Sequence, residues 1–89
     1  MYEFRWNELD VEHIAEHGVS PAEAEYVVRA ARRPFPEYRG DGKWYAAGRT
    51  SDGQYIQVIY VLTPADVDFV IHARPLTDTE KKRYRRRRR

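Results

Sequence analysis

The stretch Tyr55-Ile-Gln-Val-Ile-Tyr-Val-Leu-Thr63 decides the fold. It contains no charged residue, although 34% of the sequence is charged, and it holds four β-branched aliphatic residues and two tyrosines. Turn-forming residues precede it at 51–53 and follow it at 63–66. A short uncharged run between turns is typical of a strand buried on both faces. We therefore predict a central strand over 55–63, with the rest of the chain packed around it.

The segments on either side of this strand alternate between polar and apolar residues. Over 43–50 the polar and basic residues fall on odd positions, whereas over 66–74 the apolar residues do. Successive side chains of a strand point to opposite faces, so each flanking strand has a core side and a solvent side. The predicted polar face carries Lys43, Tyr45, Arg49, Gln57, His72 and Arg74. The predicted core face carries Trp44, Ala46, Ile56, Val58, Tyr60, Val67, Phe69 and Ile71.

The first 34 residues predict two helices after a short extended segment. Aromatic residues alternate with charged ones from Tyr2 to Trp6, which indicates an edge strand or an extended lead-in. An N-cap at Asn7 begins a first helix that runs to His17. The capping box over 20–23 begins a second helix that runs to about Arg33, where the following proline ends it.

The remaining elements complete an α+β fold. Residues 35–38 contain Pro36 and directly follow Pro34, and two prolines so close together favour an edge strand over a central one. Short turns connect the strands that follow, and short turns are typical of antiparallel hairpins. A capping box over 77–80 starts a third helix, and the run of like charges over 85–89 predicts fraying after Tyr84. We expect two N-terminal helices, a four-stranded antiparallel meander and a C-terminal helix, with residues 1–84 as a single domain and 85–89 as a basic tail.

The charge of the chain is divided between its body and its end. Residues 1–79 hold eight Lys and Arg against thirteen Asp and Glu, whereas residues 80–89 hold eight against one. The basic end is therefore expected to fold onto the acidic body of the chain or to bind nucleic acid or an acidic partner. The sequence has no cysteine, no signal-peptide pattern and no apolar run approaching the roughly 20 residues of a membrane span. We expect a cytoplasmic protein that does not enter a membrane.

Two other kinds of site find little support in the sequence. His13-Ile14-Ala15-Glu16-His17 matches the H-x-x-E-H pattern of some zinc proteases, but such a site also needs a third ligand and a substrate cleft. No glycine-rich phosphate loop is present, and neither serine lies in a nucleophile motif. We therefore predict neither a metal nor a cofactor.

The polar face offers the chemistry of RNA cleavage by the 2′-hydroxyl of the RNA. That reaction needs a base, a cation at the phosphorus and an acid at the leaving 5′-oxygen, and arginine suits the second task. The candidate catalytic residues are Arg49, His72, Arg74 and Tyr84. The hypothesis requires both arginines to share a face and to be free of ion pairs with the acidic helices. A solvated surface or a non-catalytic RNA platform remains open as an alternative.

The chain as a whole resembles the BrnT family of ribonuclease toxins from type II toxin–antitoxin systems, which are similar to the RelE fold. The resemblance spans about nine tenths of the sequence and depends on the order and spacing of several short motifs. These are Phe4-x-Trp6-Asn7, His17-Gly18-Val19-Ser20, Gly48-Arg49-Thr50-x-Asp52-Gly53, Ile71-x-Ala73-Arg74 and Glu80-x-x-x-Tyr84. His72 and Pro75 depart from the family pattern.

The resemblance implies a toxin that cleaves mRNA without a cofactor, inhibits translation and is neutralised by a BrnA-like antitoxin, with which a heterotetramer is one expected assembly. It implies that Arg49 and Arg74 bind phosphate and that Tyr84 transfers a proton or stacks on a base. Further RNA contacts are expected from Lys43, Tyr45, Gln57, Lys82 and Arg83. A non-catalytic homologue that binds RNA or protein is the alternative.

Overall fold

The computed structural model describes residues 3–65 and 67–87. Tyr2 and Asp66 of the predicted strands, and Arg88 and Arg89 of the predicted tail, lie outside these residues. The described chain is an α+β fold, as predicted, with three helices on a mixed sheet. In order, its elements are β1 (Glu3–Arg5), α1 (Glu8–Ala15), α2 (Pro21–Arg29), β2 (Glu37–Gly40), β3 (Lys43–Arg49), β4 (Tyr55–Leu62), β5 (Val67–Pro75) and α3 (Asp78–Arg87).

The sheet has five strands in the order β1-β5-β4-β3-β2, so β4 is central as its sequence predicts. Ile56 and Val58 of β4 are completely buried. The prediction of a four-stranded antiparallel sheet is wrong, because β1 adds a fifth strand that pairs with β5 in parallel. The chain passes through both N-terminal helices, β2 and the next two strands before it reaches β5. A pairing over such a separation follows from the tertiary packing and leaves no local turn signal.

The register between β4 and β5 corrects part of the predicted core. The pairing has a bulge beside Ile59 and Tyr60, where Ile71 is the extra residue of β5, so Tyr60 lies opposite Val70 and Val58 lies opposite Ala73. Val70 and Ala73 are consequently buried with α1 and α2 in the main core. Phe69 and Ile71, which simple alternation assigns to the core, are only partly buried. One extra residue in a strand reverses the facing of everything before it.

The helices differ in length from the sequence prediction. Helix α1 ends two residues before His17, and α2 ends at Arg29 because Ala30 leaves the helical conformation, with φ −92° and ψ 3°. Helix α3 continues to Arg87, past the predicted end at Tyr84. Its last turn is held by contacts that the run of arginines does not reveal: Arg87 pairs with Glu37, and Arg85 lies 5.7 Å from the centre of the Tyr55 ring. Within the described residues no helix is both long and apolar enough to cross a bilayer.

The capping box of α2 is formed as predicted. The Ser20 hydroxyl accepts from the Glu23 backbone N–H at 3.2 Å, and the Glu23 carboxylate accepts from the Ser20 N–H at 2.9 Å. We expect Ser20→Ala to lower the free energy of unfolding by about 1 kcal/mol, because one helix N–H loses its partner. Urea denaturation checks this value, with the exposed Ala22→Ser as the matched control for a serine in the same turn. An unchanged midpoint for Ser20→Ala would contradict the stabilising role of the cap.

Candidate nucleic-acid interface

The sheet surface opposite the main core carries the predicted polar residues. Gln57 is paired across the ladder with Ala47 on one side and with Arg74 on the other, and Arg49 is paired with Tyr55. Directly opposed residues in a sheet point to the same face, so both arginines share this surface. Because β4 separates their strands and their partners on β4 are two residues apart, their backbones are about 12 Å apart.

The Arg74 guanidinium donates hydrogen bonds to three protein groups, although its side chain remains partly exposed. Its Nη1 donates to Glu80 Oε1 at 2.8 Å and to the Pro75 carbonyl at 3.0 Å, while its Nη2 donates to Glu80 Oε2 at 2.8 Å. The remaining N–H groups lie 3.3 Å from the Gln57 amide oxygen, in the orientation in which the amide nitrogen donates to Tyr45. The ion pair joins β5 to α3, not to the acidic N-terminal helices. A phosphate must displace one of these acceptors before Arg74 can bind it.

Glu80 both binds Arg74 and caps the N-terminus of α3. Its Oε1 accepts from the Thr77 N–H at 2.9 Å, and the Thr77 hydroxyl accepts from the Glu80 N–H at 3.2 Å, which completes the predicted capping box. The hydrogen bond from Arg74 is the main reason that the pKa of Glu80 falls to about 2, and the Thr77 backbone contributes as well. The carboxylate is therefore ionised at neutral pH and cannot act there as a general acid.

Because the pKa of Glu80 is lower in the folded chain, its contribution to the stability of the fold depends on pH. A carboxyl whose pKa is lower in the folded chain stabilises the fold above its unfolded pKa, and this stabilisation is lost as the pH falls towards the folded value. We expect the loss between about pH 4.5 and about pH 2. Glu80→Gln should cost about 2 kcal/mol at pH 7, since a charged hydrogen bond is removed, and should flatten the acid dependence in this window. Unfolding curves at several pH values measure both, and parallel curves for the two proteins would contradict the assignment.

Arg49 lies in a cleft with Tyr84. The cleft has a volume of about 170 Å³ and lies between the end of α2, the end of β3 and α3. Arg32 and the backbone around Gly48 complete its polar wall, with Val27 at its base. Arg49 is exposed, and its Nε donates to the Gly53 carbonyl at 3.3 Å. Among the described residues no acceptor binds the two Nη groups of Arg49. These two N–H donor groups, the fork of the guanidinium, therefore point to solvent.

Tyr84 is fixed by neighbouring aromatic rings. Its ring is stacked on Phe35, with the centroids 5.7 Å apart and an interplanar angle of 18°, and it meets Tyr55 edge-on at 5.8 Å. Arg49 and Arg85 both approach the Tyr55 ring, at 5.5 and 5.7 Å from its centre. Aromatic faces beside guanidinium groups are the components of a surface that stacks nucleobases and binds phosphates.

The predicted RNA-binding residues differ in accessibility. Lys43 is exposed on β3, Lys82 and Arg83 are exposed on α3, and Arg83 borders a second small pocket with Tyr84. Lys82 precedes Tyr84 by two positions, so it points to another side of the helix. Gln57 is buried, and Tyr45 is half-buried beneath Arg39, whose Cζ lies 4.1 Å from the ring centre. Burial raises the pKa of the Tyr45 hydroxyl, which favours its neutral form.

His72 stands apart from the other candidate catalytic residues. Its backbone is paired with Ile59 on the polar face, but its ring lies beside His13 of α1 and His17 of the following turn, with centroids 6.1 and 5.7 Å away. Partial burial lowers its pKa, and the nearby His17 and Arg74 contribute to the shift. The structure thus brings Arg49 and Tyr84 into one cleft, fixes Arg74 beside it through Glu80, and leaves His72 against α1.

Several residues of this surface were not predicted from the sequence: Arg32, Phe35, Tyr55, Glu80 and Arg85. Tyr55 carries a usable signal, since it is two residues from Gln57 and must share its face. Glu80 was predicted only as a helix cap. Arg32 and Phe35 lie between α2 and β2, outside any regular element, so no periodicity indicates where their side chains point.

A search of solved structures finds this fold in the crystal structure of the Brucella abortus ribonuclease toxin BrnT. The two chains superpose with a TM-score of 0.68 and are 22% identical, over 88% of this chain and 99% of that chain. The predicted resemblance to BrnT is confirmed at the level of the fold. Neither a protein-family model nor a curated protein sequence matches this chain.

Proposed function

We propose that this chain, which has the fold of the BrnT ribonuclease toxin, is the toxin of a type II toxin–antitoxin system. In this proposal it cleaves mRNA in the cytoplasm without a metal, inhibits translation and is neutralised by a BrnA-like antitoxin in a complex such as a heterotetramer. The observation that carries the proposal is the exposed Arg49 fork beside Tyr84 in one cleft. The arginine-rich last turn of α3 adjoins that cleft.

The proposed reaction uses the 2′-hydroxyl of the RNA as the nucleophile. As this oxygen attacks the adjacent phosphorus, negative charge accumulates on the phosphoryl oxygens, and the planar fork of Arg49 matches two of them. A base, either solvent water or a side chain, takes up the 2′-proton, and an acid gives a proton to the 5′-oxygen of the next nucleotide as its bond to phosphorus breaks. The Tyr84 hydroxyl is our candidate for a proton transfer. The products are a 2′,3′-cyclic phosphate and a 5′-hydroxyl.

Arg74 and His72 have different proposed roles. Arg74 holds Glu80 and thereby the first turn of α3, so it orients Tyr84, and it becomes a phosphate ligand when a phosphate replaces Glu80. His72 lies two residues from Arg74 on the same strand and is a candidate proton donor or acceptor only for RNA that crosses β5 towards α1. Lys43, Tyr45, Lys82 and Arg83 are proposed to guide the RNA backbone, and Gln57 to orient Tyr45 and Arg74.

Cleavage of a defined RNA tests the proposal. Untagged protein is mixed with a labelled single-stranded RNA in the presence of EDTA, and the same sequence with 2′-O-methyl groups serves as the matched control. We expect cleavage of the first RNA into products with 2′,3′-cyclic phosphate ends and no cleavage of the second. Intact RNA in both reactions, with and without ribosomes, would contradict the proposed activity.

A second candidate function is non-catalytic RNA binding, favoured by the engagement of Arg74 with Glu80 and by the separation of His72 from Arg49. A binding platform needs the cations and the aromatic rings but no proton transfer. It would bind RNA with a steep dependence on salt, because each phosphate contact releases counterions. Binding of both RNAs in the cleavage assay without any product would favour this function.

A further inference from the structure

All three histidines of this sequence meet at one place on the surface. His13 lies in the last turn of α1, and His17 lies in the turn that follows the helix, with its ring centre 5.7 Å from that of His13. His72 projects towards them from β5. One ring nitrogen from each residue lies within 4.8 Å of the other two. The fold thus supplies the third imidazole that the HxxEH segment lacks in sequence.

The arrangement has the dimensions of a metal site. Zinc binds imidazole nitrogens at about 2.0–2.1 Å, so the nitrogens around a tetrahedral ion are about 3.3 Å apart. Each ring needs to move by about 1 Å to close from the present separation, which side-chain rotation allows. The ring planes of His17 are inclined at 75° to His13 and at 71° to His72, so the three rings are not stacked face to face.

We propose that His13, His17 and His72 bind one divalent transition-metal ion, such as Zn²⁺, Ni²⁺ or Cu²⁺. Three neutral imidazoles are a donor set that these ions accept, whereas Mg²⁺ and Ca²⁺ prefer oxygen ligands. His13 and His17 are exposed and His72 is half-buried, so an ion can enter from solvent and keep a water in its fourth position.

The ion would join α1 to the sheet. Among the residues of α1, Ile14 alone is buried, so most of the helix surface is in contact with solvent. One ligand from α1, one from the turn after it and one from β5 connect these elements across a long stretch of sequence. A metal that binds the folded chain and not the unfolded one stabilises the fold by mass action. The site lies outside the cleft of Arg49 and Tyr84, so the inference goes beyond the proposed ribonuclease activity and does not depend on it.

Calorimetric titration of the metal-free protein with ZnCl₂ tests the site directly. The protein carries no histidine tag, because a tag would bind the same ions. We expect one ion per chain and no binding of Mg²⁺. Separate titrations with NiCl₂ and CuCl₂ rank the candidate ions. At a free zinc concentration about 100 times the dissociation constant, the melting temperature should rise by about 15 °C.

Single replacements identify the ligands. His13→Ala, His17→Ala and His72→Ala should each weaken zinc binding by about 100-fold or more, since loss of an outer partner of a ligand costs about 10–100-fold. Glu16→Gln is the matched control, because Glu16 is exposed at the end of α1 between the two histidines, and this variant should bind as the original protein does. Circular dichroism establishes that each variant is folded. Original protein that binds zinc no more tightly than the triple histidine variant would overturn the proposal, as would three single variants with unchanged affinity.

Discussion

Arg49→Ala is expected to reduce the rate of RNA cleavage by about 10²–10³-fold, the usual effect of removing a donor that stabilises transition-state charge. The Arg49 side chain is exposed and its Nη groups point to solvent, so the structure should tolerate the change. Single-turnover cleavage of the labelled RNA measures the loss. The melting temperature should change little, because the contact with Gly53 is exposed.

Two further variants test whether the loss of rate is specific to the guanidinium of Arg49. Arg49→Lys keeps the charge but loses the planar fork, so we expect it to recover only a minor part of the rate. Arg5→Ala removes an exposed arginine from β1, at the edge of the sheet and three strands away in the sheet order, and should cleave at the original rate. Equal rates for Arg49→Ala and Arg5→Ala would reject Arg49 as a catalytic residue.

Tyr84→Phe is expected to lower the cleavage rate by about 10²-fold, at the lower end of what general acid–base catalysis contributes. The replacement removes the hydroxyl and keeps the ring that packs on Phe35 and Tyr55. Stability and RNA affinity should therefore remain close to the original values. The assay is the single-turnover reaction at saturating RNA, followed as a function of pH.

The contrast with Tyr84→Ala separates two roles of this residue. Loss of the ring should lower both the melting temperature and RNA affinity, because the aromatic contacts disappear with it. Tyr38→Phe is the control, since the Tyr38 hydroxyl accepts from the Gly42 N–H in a turn remote from the cleft. If Tyr84→Phe cleaves at the original rate and Tyr84→Ala does not, Tyr84 stacks on a base and transfers no proton.

The elements encoded by local chemistry were predictable. The uncharged run over 55–63 gave the central strand, and the capping boxes at Ser20 and Thr77 gave the starts of α2 and α3. Alternation also assigned Arg49, Gln57 and Arg74 to one face, because the side-chain period of a strand is fixed. These features depend on neighbours within a few positions of the chain.

The features that were missed depend on residues far apart in sequence. The parallel pairing of β1 with β5 joins segments near opposite ends of the chain, and the bulge at Ile59 is a property of two paired strands. The ordered turn at Arg85 to Arg87 relies on Glu37, Phe35 and Tyr55, which no helix rule includes. Likewise the HxxEH segment could not indicate that a strand some fifty residues later brings a histidine beside it.

If Arg74 binds RNA as proposed, the two interactions of Glu80 link that binding to the conformation of α3. The same carboxylate accepts from Arg74 and from the Thr77 backbone, so a phosphate that draws Arg74 away also removes one of the restraints on the first turn of α3. Engagement of RNA by Arg74 and a change in the tilt or order of α3 would then be one event. By the same linkage, an antitoxin that binds α3 would change the free energy needed to release Arg74 from Glu80.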